Sequence, residues 1–91
     1  MPLLTHDKIE KDLALLKGWA LVDKEISKTF DLGDFIHAMG FVNSIAILAE
    51  KANHHPDIDI RWNKVTLTLS THSAGGLTEK DMHLAKEIEG L

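Results

Sequence analysis

Two periodicities of apolar residues alternate along this chain, and the changes between them mark its elements. From about Thr5 to Lys17, Ile9, Leu13 and Leu16 recur at helical spacing, with Lys8, Glu10, Lys11 and Asp12 expected on the solvent side. Thr5 suits the cap, Asp7 the positive end of the dipole, and Gly18 the stop. Trp19 to Val22 and Glu25 to Phe30 read as short strands joined by an Asp23-Lys24 turn. Asp31-Leu32-Gly33-Asp34 breaks the alternation, and Asp34 caps a second helix reaching about Ala52. Phe35, Ile36, Met39, Val42, Ile45, Ala46 and Ala49 give that helix a broad apolar side, as expected of one laid across a sheet.

Pro56 pushes the preceding residue out of the α region, so the helix must end near Asn53 to His55. Asp57 to Trp62 then alternates, with Ile58, Ile60 and Trp62 on one face, before a turn at Asn63-Lys64. From Val65 the alternation is strong: Val65, Leu67, Leu69 and Thr71 oppose Thr66, Thr68, Ser70 and His72. Ser73-Ala74-Gly75-Gly76 is expected to be a flexible connection to a last helix, Thr78 to about Glu89, where Thr78 and Asp81 have capping-box spacing. The order α-β-β-α-β-β-α with hairpin-length connections predicts an α+β fold. Its four-stranded antiparallel sheet carries three helices packed on one face.

Composition narrows the function classes. Ninety-one residues fit one domain, residues 1–91, small enough for oligomerisation to be a natural supplement. The absence of cysteine excludes a disulfide framework, a thiol nucleophile and a Cys-type zinc site, and suits the cytoplasm. A net charge of −4 argues against direct nucleic-acid binding. No signal peptide is evident, and no apolar run approaches the roughly 20 residues of a membrane span.

Chemistry concentrates in the histidines. His54 and His55 are adjacent and followed by Pro56; His72 ends the strongest strand pattern; Asp81 follows nine residues later. Imidazole, with an ordinary pKa of about 6.5, both gives and takes a proton near neutrality. Glu50 lies one helical turn before His54, where it could favour the imidazolium or form a plain surface ion pair. Asp81 reads as a helix-cap partner, or as a group that orients His72 or binds substrate. His6, His37 and His83 lack evident partners. Neighbouring His54 and His55 do not readily point at one ion and no ligand-pair motif accompanies them, so no metal site is expected.

Glu50, His54-His55-Pro56, Trp62, His72 and Asp81, at these spacings, resemble the pterin-4a-carbinolamine dehydratase family. Asn63-Lys64-Val65, Leu69-Ser70-Thr71-His72 and Gly76-Leu77-Thr78 add to the resemblance. It implies dehydration of 4a-hydroxytetrahydrobiopterin, or a related 4a-hydroxytetrahydropterin, to quinonoid dihydropterin and water. That reaction recycles the pterin of aromatic amino-acid hydroxylases and needs no cofactor. It further implies a catalytic set of His54, His55 and His72, with His54 and His72 leading as acid and base and His55 mainly positioning the pterin. Substrate binding falls to Glu50, His54, His55, Pro56, Thr71, His72, Ser73, Ala74 and Asp81, with Glu50 and Asp81 tuning the histidines. At Trp62 both stacking on pterin and core packing are open, and packing is favoured. The exposed edges of a helix-faced antiparallel sheet suit a homodimer or homotetramer, and the resemblance implies a functional link to a hydroxylase. The alternative is a protein-binding dimerisation cofactor or transcriptional coactivator with little dehydratase role.

Overall fold

The computed structural model describes residues 2–91. Its elements run α1 (His6–Ala14), β1 (Ala20–Val22), β2 (Glu25–Asp31), α2 (Phe35–Ala52), β3 (Asp57–Arg61), β4 (Lys64–Leu69) and α3 (Glu79–Glu89), with a 3-10 turn at His72–Ala74 before α3. The strands form one antiparallel sheet in the order β1-β2-β4-β3. Two hairpins supply the outer pairings, and the α2 crossover sets β4 beside β2. The α+β architecture expected from the sequence is the one observed.

Register explains which face is buried. Ile26, Lys28 and Phe30 lie opposite Leu69, Leu67 and Val65, so these six side chains share one face. Val65, Leu67 and Leu69 are fully buried there, in a core completed by Leu16, Trp19, Ile45, Met82, Leu84 and Ile88. The opposite face carries a hydroxyl ladder, Ser27 to Thr68 at 3.2 Å and Thr29 to Thr66 at 2.8 Å. Asp34 caps α2 by accepting from the His37 amide at 2.8 Å, and this bond holds its carboxyl below the ordinary value.

Several boundaries differ from the sequence expectation. α1 ends at Ala14 rather than Lys17, because the Leu15 and Leu16 amides bond to Asp12 and Leu13, one residue nearer than in an α-helix. The tightened turn brings Leu16 and Trp19 into the core. Asp12 is buried, at 3% exposure, instead of facing solvent. Its position, three after Ile9 and four before Leu16, puts it on the apolar stripe, where Lys8 Nζ donates to it at 2.9 Å. Arg61 pairs with Lys64, so the second hairpin turns at Trp62-Asn63 and not at Asn63-Lys64. Trp62, in the left-handed region at φ 54°, is 71% exposed and does not pack in the core.

β3 is an edge strand exposed along its whole length, and Ile58 and Ile60 stay partly open although they share the helix-covered face with Leu67 and Val65. No helix among the described residues is long and apolar enough to cross a membrane.

One cation is set on the apolar face. Lys28 Nζ donates to the Lys17 carbonyl at 2.9 Å and to both Glu89 carboxylate oxygens at 2.8 and 3.0 Å, and sits 4.7 Å from the Phe30 ring centre. It thereby ties the turn after α1 to the negative end of α3. Gly18 leaves it room, since at φ +86° a Cβ would fall 2.8 Å from Lys28 Cε. Alanine at Lys28 or Glu89 is expected to lower the urea midpoint, with a coupling of about 1 kcal/mol in the double-mutant cycle. Additive effects would mean that the clasp contributes nothing as a pair.

Candidate functional site

The site forms where α2 stops and α3 begins. Asn53 adopts the left-handed conformation, φ 49° and ψ 45°, which asparagine tolerates better than most residues. Its amide and that of His54 close back on the last turn, His54 N to Ala49 O at 3.1 Å. The chain thus reverses at Asn53, and Pro56 keeps His55 extended. The two adjacent imidazoles consequently go to different partners.

His54 turns inward. Its Nε2 lies 2.6 Å from Asp81 Oδ1, with the imidazole 11% exposed and the carboxylate fully buried. Asp81 Oδ2 accepts from Thr71 Oγ1 at 2.8 Å and from the Thr78 amide at 2.9 Å. Thr71 and Thr78 hydroxyls are 2.8 Å apart. Each hydroxyl has one proton, and that of Thr71 is given to Asp81. Thr78 therefore donates to Thr71, and its own oxygen accepts from the Lys80 amide at 3.3 Å. The capping box of α3, legible in the sequence, is therefore one side of a network whose other side holds His54.

This arrangement revises two expected pairings. Glu50 meets His55, Oε2 to Nε2 at 2.6 Å in an exposed pair, and not His54. The cause is the Asn53 reversal, which takes His54 off the helix face that four-residue spacing assumes. Asp81 orients His54 rather than His72. His72 opens the 3-10 turn and is exposed. The segment after it is closely bonded instead of flexible: the Thr71 carbonyl accepts from Ala74 and Gly75, both at 3.0 Å, and the Thr71 amide donates to Gly76 O at 2.8 Å. His6, His37 and His83 also have partners: Glu10, Asp34 and Glu87, at 3.0, 2.7 and 3.1 Å, all near solvent.

A cleft of about 290 Å³ is lined by Asn53, His54, His55, Ser70, Thr71, His72, Ser73 and Lys80. Five of the expected site residues line it: His54, His55, Thr71, His72 and Ser73. Glu50 and Asp81 stand behind the imidazoles, whereas Pro56 and Ala74 adjoin the cleft in the chain without lining it. Asn53, Ser70 and Lys80 were not anticipated. Ser70 precedes His72 by two along the same alternating face, a signal that was available; Lys80 has none, because only the docking of α3 brings it there. Among the described residues no group of three His, Asp or Glu side chains is placed to hold a metal ion.

The chemistry follows from the hydrogen-bond directions. An ionised carboxylate only accepts, so His54 gives its Nε2–H to Asp81 and is left with Nδ1 to exchange a proton. A largely buried imidazole held by a carboxylate, in the same polar cleft as a freer imidazole, has the groups that proton transfer requires.

A small α+β domain with this paired-imidazole site is the class that the fold and the cleft define. The sequence profile of the family described as pterin 4 alpha carbinolamine dehydratase matches residues 2–91, and the chain belongs to that family. A Roseiflexus castenholzii protein named "Putative pterin-4-alpha-carbinolamine dehydratase" is 58% identical over 87 residues, covering 96% of this chain and 94% of its own length. A Sulfurisphaera tokodaii protein of the same name is 45% identical, with coverage of 100% and 98%. The crystal structure of a transcriptional coactivator/pterin dehydratase from Brucella melitensis superposes with a TM-score of 0.93 at 38% identity, covering 97% and 96% of the two chains. A pterin dehydratase-like RuBisCO assembly factor of the α-carboxysome shares the fold, with a TM-score of 0.64 at 22% identity over 79% of this chain and 83% of that one.

Replacing Asp81 by alanine removes three accepted hydrogen bonds, one of them a side of the capping box. It is expected to cost about 3 kcal/mol in urea unfolding, with Glu50→Ala within about 0.5 kcal/mol of wild type. Equal, small effects from both would mean that the network does not anchor the α2–α3 junction.

Proposed function

We propose that this chain dehydrates 4a-hydroxytetrahydrobiopterin or a related 4a-hydroxytetrahydropterin to quinonoid dihydropterin and water, recycling the pterin cofactor of aromatic amino-acid hydroxylases in the cytoplasm as one domain over residues 1–91. The observation that carries this reading is the meeting of His54, His55 and His72, from two separate stretches of chain, in one cleft, with His54 backed by a buried carboxylate. Family membership supports it.

In the reaction the C4a–O bond breaks and the oxygen leaves as water, protonated by an imidazolium. A neutral imidazole takes the N5 proton, and the N5–H electron pair becomes the N5=C4a double bond. His54 and His72 share these two roles. His55, steadied by Glu50, positions the ring together with Pro56 and the Thr71–Ala74 loop, where Ser73 and Ala74 act through backbone groups. Asp81 keeps His54 in one tautomer. The balance of the elimination is internal: one proton leaves N5, one reaches the departing oxygen, and the substrate neither gains nor loses electrons.

Freshly made 4a-hydroxytetrahydropterin should dehydrate faster with purified protein and no added metal. His54→Ala/His72→Ala should reduce kcat/KM by about 10²–10⁴-fold while retaining the wild-type circular dichroism. Wild-type protein at the uncatalysed rate would overturn the enzyme reading.

A second reading, a protein-binding role, is favoured by one surface. Ile36 and Ile47 are 81% and 65% exposed and eleven residues apart on α2, which places them on one stripe with Phe35, 51% exposed, beside it. We assign this stripe first to self-association as a homodimer or homotetramer. Light scattering should report an oligomer for the wild type and a smaller species for Ile36→Asp/Ile47→Asp. A monomeric wild type would leave the stripe to a different protein, as a coactivator would use it.

A further inference from the structure

Beside the histidine cleft lies another, of about 370 Å³, lined by Lys51, Ala52, Lys80, His83 and Glu87. Lys80 is common to both. The second cleft is a groove between the last turn of α2 and the outward side of α3, where Lys80, His83 and Glu87 recur at helical spacing. Glu87 is engaged by His83 Nε2 at 3.1 Å. The ion pairs among the described residues involve neither Lys51 nor Lys80, so no carboxylate lies within 4.0 Å of either ammonium. A chain of net charge −4 thus places two unmatched cations in one groove beside its candidate site.

The space on the other side of His72 has the opposite character. Its lining of Asp23, Lys24, Glu25, Ser70, His72, Gly75 and Gly76 includes two carboxylates against one ammonium. These are two grooves that share lining residues with the histidine cleft and so adjoin a pterin ring seated there. Charge decides between them for an anionic substituent.

We propose that Lys51 and Lys80 form a subsite for a negatively charged C6 substituent, so that the preferred pterin carries a phosphate or carboxylate tail. The inference rests on the dehydratase reading above and deepens it by naming a substrate class. Lys80, at the junction, meets the first atoms of the tail, and Lys51 meets its distal charge. Exposed charges act mainly through local attraction, so the preference is moderate and weakens with salt.

The test is equilibrium binding of three dihydropterins to the full chain, at low and high salt. 7,8-Dihydroneopterin has a neutral tail, 7,8-dihydroneopterin 3′-triphosphate a phosphate tail, and 7,8-dihydrofolate a glutamyl tail. At low salt at least one anionic ligand is expected to bind about tenfold tighter than the neutral one. The gap should close in Lys51→Gln/Lys80→Gln and persist in Lys11→Gln, a lysine outside both clefts. A gain for the triphosphate alone assigns a phosphate tail, and a gain for dihydrofolate alone a glutamyl tail. Equal binding of all three, or a gap that survives the double substitution, overturns the subsite. Turnover of a 6-methyl substrate, measured in parallel, separates the two readings: turnover without tail preference sinks the subsite alone, and neither turnover nor binding sinks both.

Discussion

The Asp81 carboxylate is the constraint around which this end of the molecule is organised. It is fully buried and accepts from three donors that belong to three different stretches: His54 after α2, Thr71 after β4, and the Thr78 amide at the start of α3. A buried charge costs several kcal/mol unless its oxygens are well matched, so the fold tolerates Asp81 only when all three stretches are in place. Local helix capping and the placement of the His54 imidazole therefore depend on one another. Loss of the cap would free the carboxylate that fixes the His54 tautomer, and loss of His54 would leave a buried oxygen short of a donor.

The fold was legible because its signals are periodic. Val65, Leu67 and Leu69 alternate with threonines, and the buried face of β4 is the face this alternation indicates. Thr5, Asp34 and Thr78 mark the helix starts correctly. Interruptions of a period were harder to read. Asp12 lies among charged neighbours, and only its spacing from Ile9 and Leu16 places it inside. Trp62 continues the alternation of β3, yet the Arg61–Lys64 pairing takes it into the turn and out to solvent.

The candidate site was legible as a set of residues but not as a set of partnerships. His54, His55, His72, Asp81 and Glu50 do gather at one cleft or directly behind it. Which carboxylate serves which imidazole depends on a single backbone event, the left-handed turn at Asn53, and helical spacing cannot express such a reversal. Lys80 carries no sequence signal for a related reason. Its relation to the histidines is created by the packing of α3 against α2 and by nothing nearby in sequence.

Burial then sets the imidazoles apart by their surroundings. His54, at 11% side-chain exposure, has its ring orientation set by Asp81, whereas His55 at 60% exposure is held only by a solvated carboxylate. Proton transfer in a transition state rewards a group that is already aligned, because any reorientation adds to the barrier. Ring binding rewards a group that can adjust to the ligand. The adjacent histidines are thus suited to different tasks by their surroundings, and the same reasoning sets His72 apart from both. It stands on a hydrogen-bonded 3-10 turn, with a fixed backbone and an exposed side chain, and takes no part in the Asp81 network.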